Sequence, residues 1–337
     1  MAELHLTPLL EPLVGSARAD ALVEALRWPT ELEPAPVGWV TRTEIALGLA
    51  ALLFEDVQRR VPSARAYVAE RLGAGRRLWF DHGALRTVAA PSGDLPVGIG
   101  AFTRLLEPLG YRMAGTYPLE ALGMTGYAFA HDEASDAVPQ YFVSELHPER
   151  FSPAFQEAVA RVVGASRDPL RESARTDLAV LAREGSLPLE EAARLLPDLF
   201  ACFDRQHPEP SLEDYALLLE ESPEMAWIAT EGNAFNHATD RVDDVFAVAE
   251  EQRRLGRPVK AAVEVSRNGR VLQTAFRAAP ADRLFRDDAG RLVVRSVPGS
   301  FHEFITRHRL EDGALDLTFD AANATSIFGM TSTEGAR

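Results

Sequence analysis

The sequence predicts an α+β protein: a curled, mixed but mostly antiparallel sheet, preceded by N-terminal helices and interrupted by a helical insertion. Three observations predict it. Helix-start signals with helical apolar spacing run to about residue 73, strand-like segments with short connections begin at Arg77 and resume after residue 225, and helix formers fill the stretch between. With 337 residues the chain suits one large domain carrying an insertion, which we place at 151–221 within a single domain of 1–337.

The elements follow in order. Thr41-Arg-Thr-Glu44 reads as a capping box leading into the apolar run Ile45–Phe54, and Pro62 opens a second helix through Arg71. Gly73 and Gly75 break the pattern, and Arg77–Val88 reads as a strand. A helix-plus-turn is expected over Gly98–Gly110, with short strands at Tyr127–Ala130 and Gln140–Ser144. Helical spacing returns in Phe155–Val163, Ala179–Arg183 and Leu189–Leu196, punctuated by Pro188, Pro197, Pro208 and Pro210. Beyond it we expect strands at Ala226–Thr230, Lys260–Val265, Val271–Ala278, Leu292–Val297 and Phe301–Arg307, with a helix over Asp240–Leu255.

Composition narrows the function. A formal net charge of −15 argues against nucleic acid or anionic membrane as partners, since both need a basic footprint. It does not argue against a small anionic substrate met by a few inward arginines, because surface charge is screened within about 8 Å at physiological salt. The single cysteine, Cys202, rules out an internal disulfide or a multi-cysteine metal site, and its apolar neighbours Phe200 and Phe203 suggest a buried spectator. The first residues lack the basic start and apolar core of a signal peptide, and Ile45–Phe54 has about half the length of a membrane span. A cytoplasmic protein is expected.

Of the eight histidines, His5, His131, His147, His207 and His308 sit in polar or proline-flanked contexts that suit surface or capping roles. His82 lies mid-strand, where alternation puts Leu78, Phe80, His82, Ala84 and Arg86 on one face. His82 and Arg86 would then stand about 13 Å apart at ~3.3 Å per residue, with only Ala84 between them. A chelating head group could sit at His82 while a distant carboxylate meets the fork of Arg86; a half-buried strand presenting both to water fits the spacing equally. His237 is expected on a turn-rich loop between a strand end and a helix start, where Asn233, Asn236, Thr239 or Asp240 could orient its second ring nitrogen. A capping loop with an exposed imidazole is the alternative. In Phe301–Arg307 alternation groups Phe301, Glu303, Ile305 and Arg307, turning His302 to the opposite face. A carboxylate between Phe301 and Ile305 needs a cation, a metal or a surface pairing with Arg307. Two histidines and a carboxylate suit iron(II) with open coordination positions. Zinc is the competing assignment, although the close His-x₃-His spacing of zinc hydrolases is absent. Arg267 and Arg277 are further candidates for the pocket.

Three motifs carry more than spacing. Phe80-Asp-His-Gly-Ala-Leu-Arg-Thr87, Gly232-Asn-Ala-Phe-Asn-His-Ala-Thr239 and Pro298-Gly-Ser-Phe-His-Glu-Phe-Ile-Thr-Arg307 together resemble the 2-oxoadipate dioxygenase/decarboxylase family, also called 2-hydroxyglutarate synthase. Weaker matches lie at Phe142–Leu146 and Ala324–Gly329. The resemblance implies a vicinal-oxygen-chelate-like fold with helical decoration, iron(II) at His82, His237 and Glu303, and the substrate's distal carboxylate at Arg86. It implies a reaction of 2-oxoadipate with dioxygen to give 2-hydroxyglutarate and carbon dioxide, a late step of lysine breakdown. A same-mechanism oxygenase for another 2-oxo acid, or a metal-binding protein without turnover, remain the alternatives. The chain departs from the pattern in its compactness, which bears on substrate size, and in His302, where an aromatic residue such as tyrosine is expected.

Overall fold

The computed structural model describes residues 4–30, 32 and 35–319. Helices α1 (Leu6–Val14) and α2 (Ser16–Ala25) lead to a short strand β1 (Trp39–Thr41) and the long helices α3 (Arg42–Arg60) and α4 (Pro62–Gly73). The expected capping box is formed: Thr41 Oγ1 accepts from Glu44 N while the Glu44 carboxylate accepts from Thr41 N. Helix α3 is buried from Thr43 to Phe54 without a polar face, as a helix sandwiched between a sheet and other helices must be.

Two copies of one unit follow. In the first, β2 (Phe80–Val88) is followed by α5 (Gly100–Leu106), β3 (Tyr111–Leu119), β4 (Met124–His131) and β5 (Gln140–Leu146). A helical stretch intervenes, with α6 (Pro153–Val163), α7 (Glu172–Glu184), β6 (Ser186–Pro188), α8 (Leu189–Ala201), α9 (Leu212–Glu221) and α10 (Pro223–Glu231). The second unit has β7 (His237–Arg241), α11 (Val245–Arg254), β8 (Glu264–Val265), β9 (Val271–Ala275), a separate hairpin of β10 (Pro280–Arg286) and β11 (Leu292–Pro298), and β12 (Phe301–Arg307). The eight-stranded sheet runs β3-β4-β5-β2-β7-β12-β9-β8. In each half the last strand returns parallel beside the first, β5 along β2 and β12 along β7, and the remaining pairs are antiparallel. The halves meet where β2 runs antiparallel to β7, so the sheet curls about that seam.

One face of the sheet carries the main core, in which Leu85, Val143, Ala238 and Phe304 pack with α1, α3, α4 and α8. Over the far end of the other face, a second core joins Val88, Met124 and Leu146 to Phe155, Leu218 and Trp227 of α6, α9 and α10. The helical stretch is tied back to the N-terminal region through β6, which pairs with β1.

Several expectations need correction. Ala226–Thr230 is not a strand but part of α10: Pro223 opens the helix, Ser222 Oγ accepts from Met225 N, and burial on every side removes the periodicity that would reveal it. His237 consequently lies not on a loop but at the start of β7, and the following helix begins at Val245 after an Asp244 cap rather than at Asp240. The strand expected over Lys260–Val265 shrinks to two residues, and β3 and β10 were not anticipated. β3 is an exposed edge strand carrying Gly115 and Pro118, which hides its alternation. Phe80 does not share a face with His82. The register slips between these residues opposite β7, so Asp81 is the extra residue of a bulge and Leu78 and Phe80 turn into the main core. His131 and His207 are buried rather than superficial, each with ring nitrogens at backbone carbonyls or amides. Cys202 is buried, as expected. The match at Ala324–Gly329 lies outside the described residues. No helix among the described residues is long and apolar enough to cross a membrane.

Candidate metal centre

The seam brings His82, His237 and Glu303 together. Thr239 is in register with His82 across one ladder and with Glu303 across the other, while His237 sits one alternation earlier on the same face. Ligand atoms of His82, His237 and Glu303 all lie within 4.8 Å of one another. Glu303 Oε2 is 3.2 Å from His82 Nε2 and 3.5 Å from His237 Nε2, and all three side chains are buried.

Each imidazole is held from behind by the residue before it. Asp81 Oδ2 lies 2.8 Å from His82 Nδ1, and Asn236 Oδ1 lies 3.0 Å from His237 Nδ1. A carboxylate or amide oxygen accepts the Nδ1 proton, which leaves Nε2 of both rings directed at the centre. Adjacent residues of a regular strand point to opposite faces; the bulge lets Asp81 reach the ring of its neighbour. Asp81 is itself clamped, with Oδ1 2.6 Å from Arg241 Nε and Oδ2 2.9 Å from Arg307 Nη2. Thr239 Oγ1 donates to Glu303 Oε2 at 2.7 Å and stands 3.2 Å from His82 Nε2. Of the orienting residues expected around His237, Asn236 takes that role, Thr239 serves the carboxylate, and Asp240 turns to the other face to accept from Tyr67 Oη and Trp79 N.

The protonation states follow from this setting. Burial pushes His237 down to about 3, so its ring is neutral. Burial would also lower His82, but its bonds to Asp81 and Glu303 reverse this and raise it above the ordinary 6.5. Burial alone would raise Glu303, yet His237, His82 and Thr239 hold it below the usual carboxylate range. A divalent cation fits such a centre. His237 Nε2 and Glu303 Oε1 are buried without a hydrogen-bond partner, and the set is two imidazole nitrogens and a carboxylate around one point. His302 points away, as alternation predicts, into the rings of Phe54, Tyr67, Phe276 and Phe304.

Farther along β2, Ala84 packs with Ala128 and Phe142, and Arg86 is fully buried with its guanidinium 4.9 Å from the centroid of the Trp227 ring. Burial lowers Arg86 to about 10, partly offset by the nearby Glu224, so it stays cationic at neutral pH. Trp227 Nε1 donates to Gly299 O at 3.1 Å. Arg267 and Arg277 are exposed. Sequence reasoning missed Asp81, Trp227 and Glu224, and Arg307, the alternative surface partner of Glu303, is instead buried and pairs with Asp81. Asp81 carries a weak signal, an acid directly before a strand histidine; Trp227 carries none until α10 is placed.

The two halves also place these residues in equivalent positions. With Gly83 opposite Ala238 at the seam, His82 corresponds to His237, Asp81 to Asn236 and Arg86 to Arg241. Phe142, beside Ala84, then stands where the second half has Glu303 beside Thr239. The centre is thus closed by protein on the Glu303 side and faces aromatic surface on the other.

Comparison with known proteins gives the family and the fold. The sequence profile of the 2-oxoadipate dioxygenase/decarboxylase family matches residues 50–326. A glyoxalase superfamily protein from Ralstonia eutropha JMP134 superposes with a TM-score of 0.91 at 52% identity, covering 94% of this chain and 98% of that one. Two more distant structures share the fold. Hydroxyglutarate synthase from Oryza sativa, in complex with 2-oxoadipate, has a TM-score of 0.66 at 20% identity over 91% of this chain and 99% of that one. The Pseudomonas putida hydroxyglutarate synthase with 2-oxoadipate has a TM-score of 0.65 at 21% identity over 90% and 76%. No curated protein sequence matches the chain. The family match runs through all three strands that carry His82, His237 and Glu303, and on it the chain belongs to the 2-oxoadipate dioxygenase/decarboxylase family.

Proposed function

We propose that the protein is a mononuclear iron(II) oxygenase that converts 2-oxoadipate and dioxygen to 2-hydroxyglutarate and carbon dioxide, and that it serves lysine breakdown in the cytoplasm. The observation that carries this reading is the buried convergence of His82, His237 and Glu303 with both Nδ1 atoms already engaged. His82, His237 and Glu303 would hold the metal through Nε2, Nε2 and the carboxylate. Iron(II) bound there would supply the redox chemistry and a template for the oxo acid and dioxygen side by side.

The remaining work falls to the chain. Asp81 and Asn236 keep the imidazoles in the ligating tautomer, and Thr239 fixes the rotamer of Glu303 by donating to Oε2. Arg86, charged and desolvated against Trp227, would receive the distal carboxylate in a bidentate fork, so that only the 2-oxo acid end reaches the metal ligands. Between them Ala84 contributes only a methyl group, which suits a methylene chain. Atoms balance without a second organic co-substrate: 2-oxoadipate and dioxygen together contain the atoms of 2-hydroxyglutarate and carbon dioxide, and the electrons that reduce dioxygen come from the oxo acid. No side chain need act as a general base.

Oxygen uptake and product analysis on anaerobically iron-loaded protein test the reading. Stoichiometric uptake and 2-hydroxyglutarate formation with 2-oxoadipate are expected. Uptake only with another 2-oxo acid would move the assignment to a different substrate, and none with any 2-oxo acid would leave a metal-binding protein without this turnover.

A further inference from the structure

The last described residues lie across the site. Arg307 Nη1 donates to Asp316 O at 2.8 Å and to Thr318 O at 3.0 Å, Gln140 Nε2 donates to Leu317 O at 3.4 Å, and Phe319 N donates to Tyr117 Oη at 3.3 Å. Held in this way, the Phe319 ring comes to 5.0 Å from the His82 ring, 4.7 Å from Phe142 and 6.0 Å from Tyr117, centroid to centroid. It packs on the cluster of Ala84, Ala128 and Phe142. Ala84 lies between His82 and Arg86 on the strand, so the ring roofs the interval that separates the two.

The floor beneath is built small. Ala84 and Ala128 contribute a methyl group each, and a Cβ on the neighbouring Gly126 would come within 2.4 Å of the Phe142 ring. With methyl groups below and the Phe319 ring packed on them, the interval between His82 and Arg86 suits an unbranched chain of methylenes better than a branch or an aryl group. We propose that Phe319 is a specificity-determining residue that restricts the site to unbranched 2-oxo dicarboxylates. This rests on the oxo-acid reading above and adds to it the residue that sets chain shape. The fixed backbone matters as much as the ring: a roof on a loose segment would yield to a bulky ligand, whereas four hydrogen bonds with side chains of β12, β5 and β3 keep this one in place.

The test is equilibrium binding to cobalt(II)-loaded protein, read by calorimetry and by the visible cobalt spectrum, for 2-oxoadipate and phenylpyruvate. Wild type is expected to bind 2-oxoadipate and discriminate against phenylpyruvate. Phe319→Ala should raise the affinity for phenylpyruvate relative to 2-oxoadipate by about tenfold or more, a contrast of the size that pocket shape alone provides, with Phe319→Leu between the two. Metal content and melting temperature should stay near wild type, because the ring is only half buried. An unchanged ratio in both variants overturns the proposal while leaving the oxo-acid reading intact, as does an equal loss of both ligands. Binding of neither ligand by wild type overturns both.

Discussion

The two ends of the site are built by different physics. At the metal end, donors come from three neighbouring strands whose register is fixed by backbone ladders, and each donor has its own orienting partner one or two residues away in sequence or one strand across. At the arginine end, a single cation is held by a helix from outside the sheet, through the face of Trp227 and the field of Glu224. The first end is local and redundant; the second depends on how α10 docks. Damage at the metal end should therefore appear as lost metal, and damage at the arginine end as lost substrate affinity.

The largest expected effect separates them most sharply. Glu303→Ala or His82→Ala should reduce metal content after loading and dialysis to near zero, measured by plasma emission spectrometry, and turnover should fall to background. Retention of stoichiometric metal by both variants would place the binding point elsewhere. Arg86→Ala comes next. It should keep its metal and weaken 2-oxoadipate binding by ~2–5 kcal/mol, as expected for truncating one partner of a buried charge pair, or about 30-fold to several thousand-fold in KM. Full activity of this variant on 2-oxoadipate would remove Arg86 from the site.

Asp81→Asn probes the orienting layer. Loss of such a partner typically costs about 10- to 100-fold in metal affinity. A pH series adds a readout that a packing role would not move. Metal and proton compete for His82, whose ring is raised above 6.5 by its bonds to Asp81 and Glu303 once burial is overcome. Metal affinity should therefore be level above that raised value and fall as pH drops below it. Removing the Asp81 charge should move the pH at which affinity begins to fall downward, while the affinity reached at high pH also drops. A bend that stays in place would mean Asp81 does not act through His82.

The same contrast explains what was legible in the sequence. Alternation alone placed Glu303, Phe301 and Arg307 on one face of β12 and turned His302 to the other, because β12 is regular and buried throughout. The same rule failed on β2, where the bulge at Asp81 breaks the period: it kept His82, Ala84 and Arg86 together but misplaced Leu78 and Phe80. His237 was found by its neighbours rather than by its element, since the Asn-rich turn signals that preceded it really do end at Asn236, one residue before the strand. Trp227 and Glu224 were not legible, because a helix buried all round shows neither amphipathic spacing nor a reason to face a strand distant in the chain. Gly83 admits the Phe235 ring, 2.2 Å from where a Cβ would stand, so the residue before Asn236 is packed directly behind the seam.

The smallest effect is the most informative about the arginine end. Trp227→Leu removes the π face beneath the Arg86 guanidinium but leaves an apolar side chain to fill the second core. Cation–π contacts contribute roughly 0.5–2 kcal/mol, more when desolvated, so KM for 2-oxoadipate should rise by only about 2- to 30-fold. Trp227→Phe, which keeps a ring but loses the bond from Nε1 to Gly299 O, should lie closer to wild type. That bond complicates the separation of the two ends: Gly299 lies two residues before Phe301, whose ring stacks 4.6 Å from His237, so α10 touches the strand that carries Glu303. If the ends are independent, both Trp227 variants retain full metal and differ only in KM. A fall in metal content in Trp227→Phe, with Arg86 and its ring contact preserved, would show instead that α10 sets the position of β12, and that the arginine end helps to hold the metal.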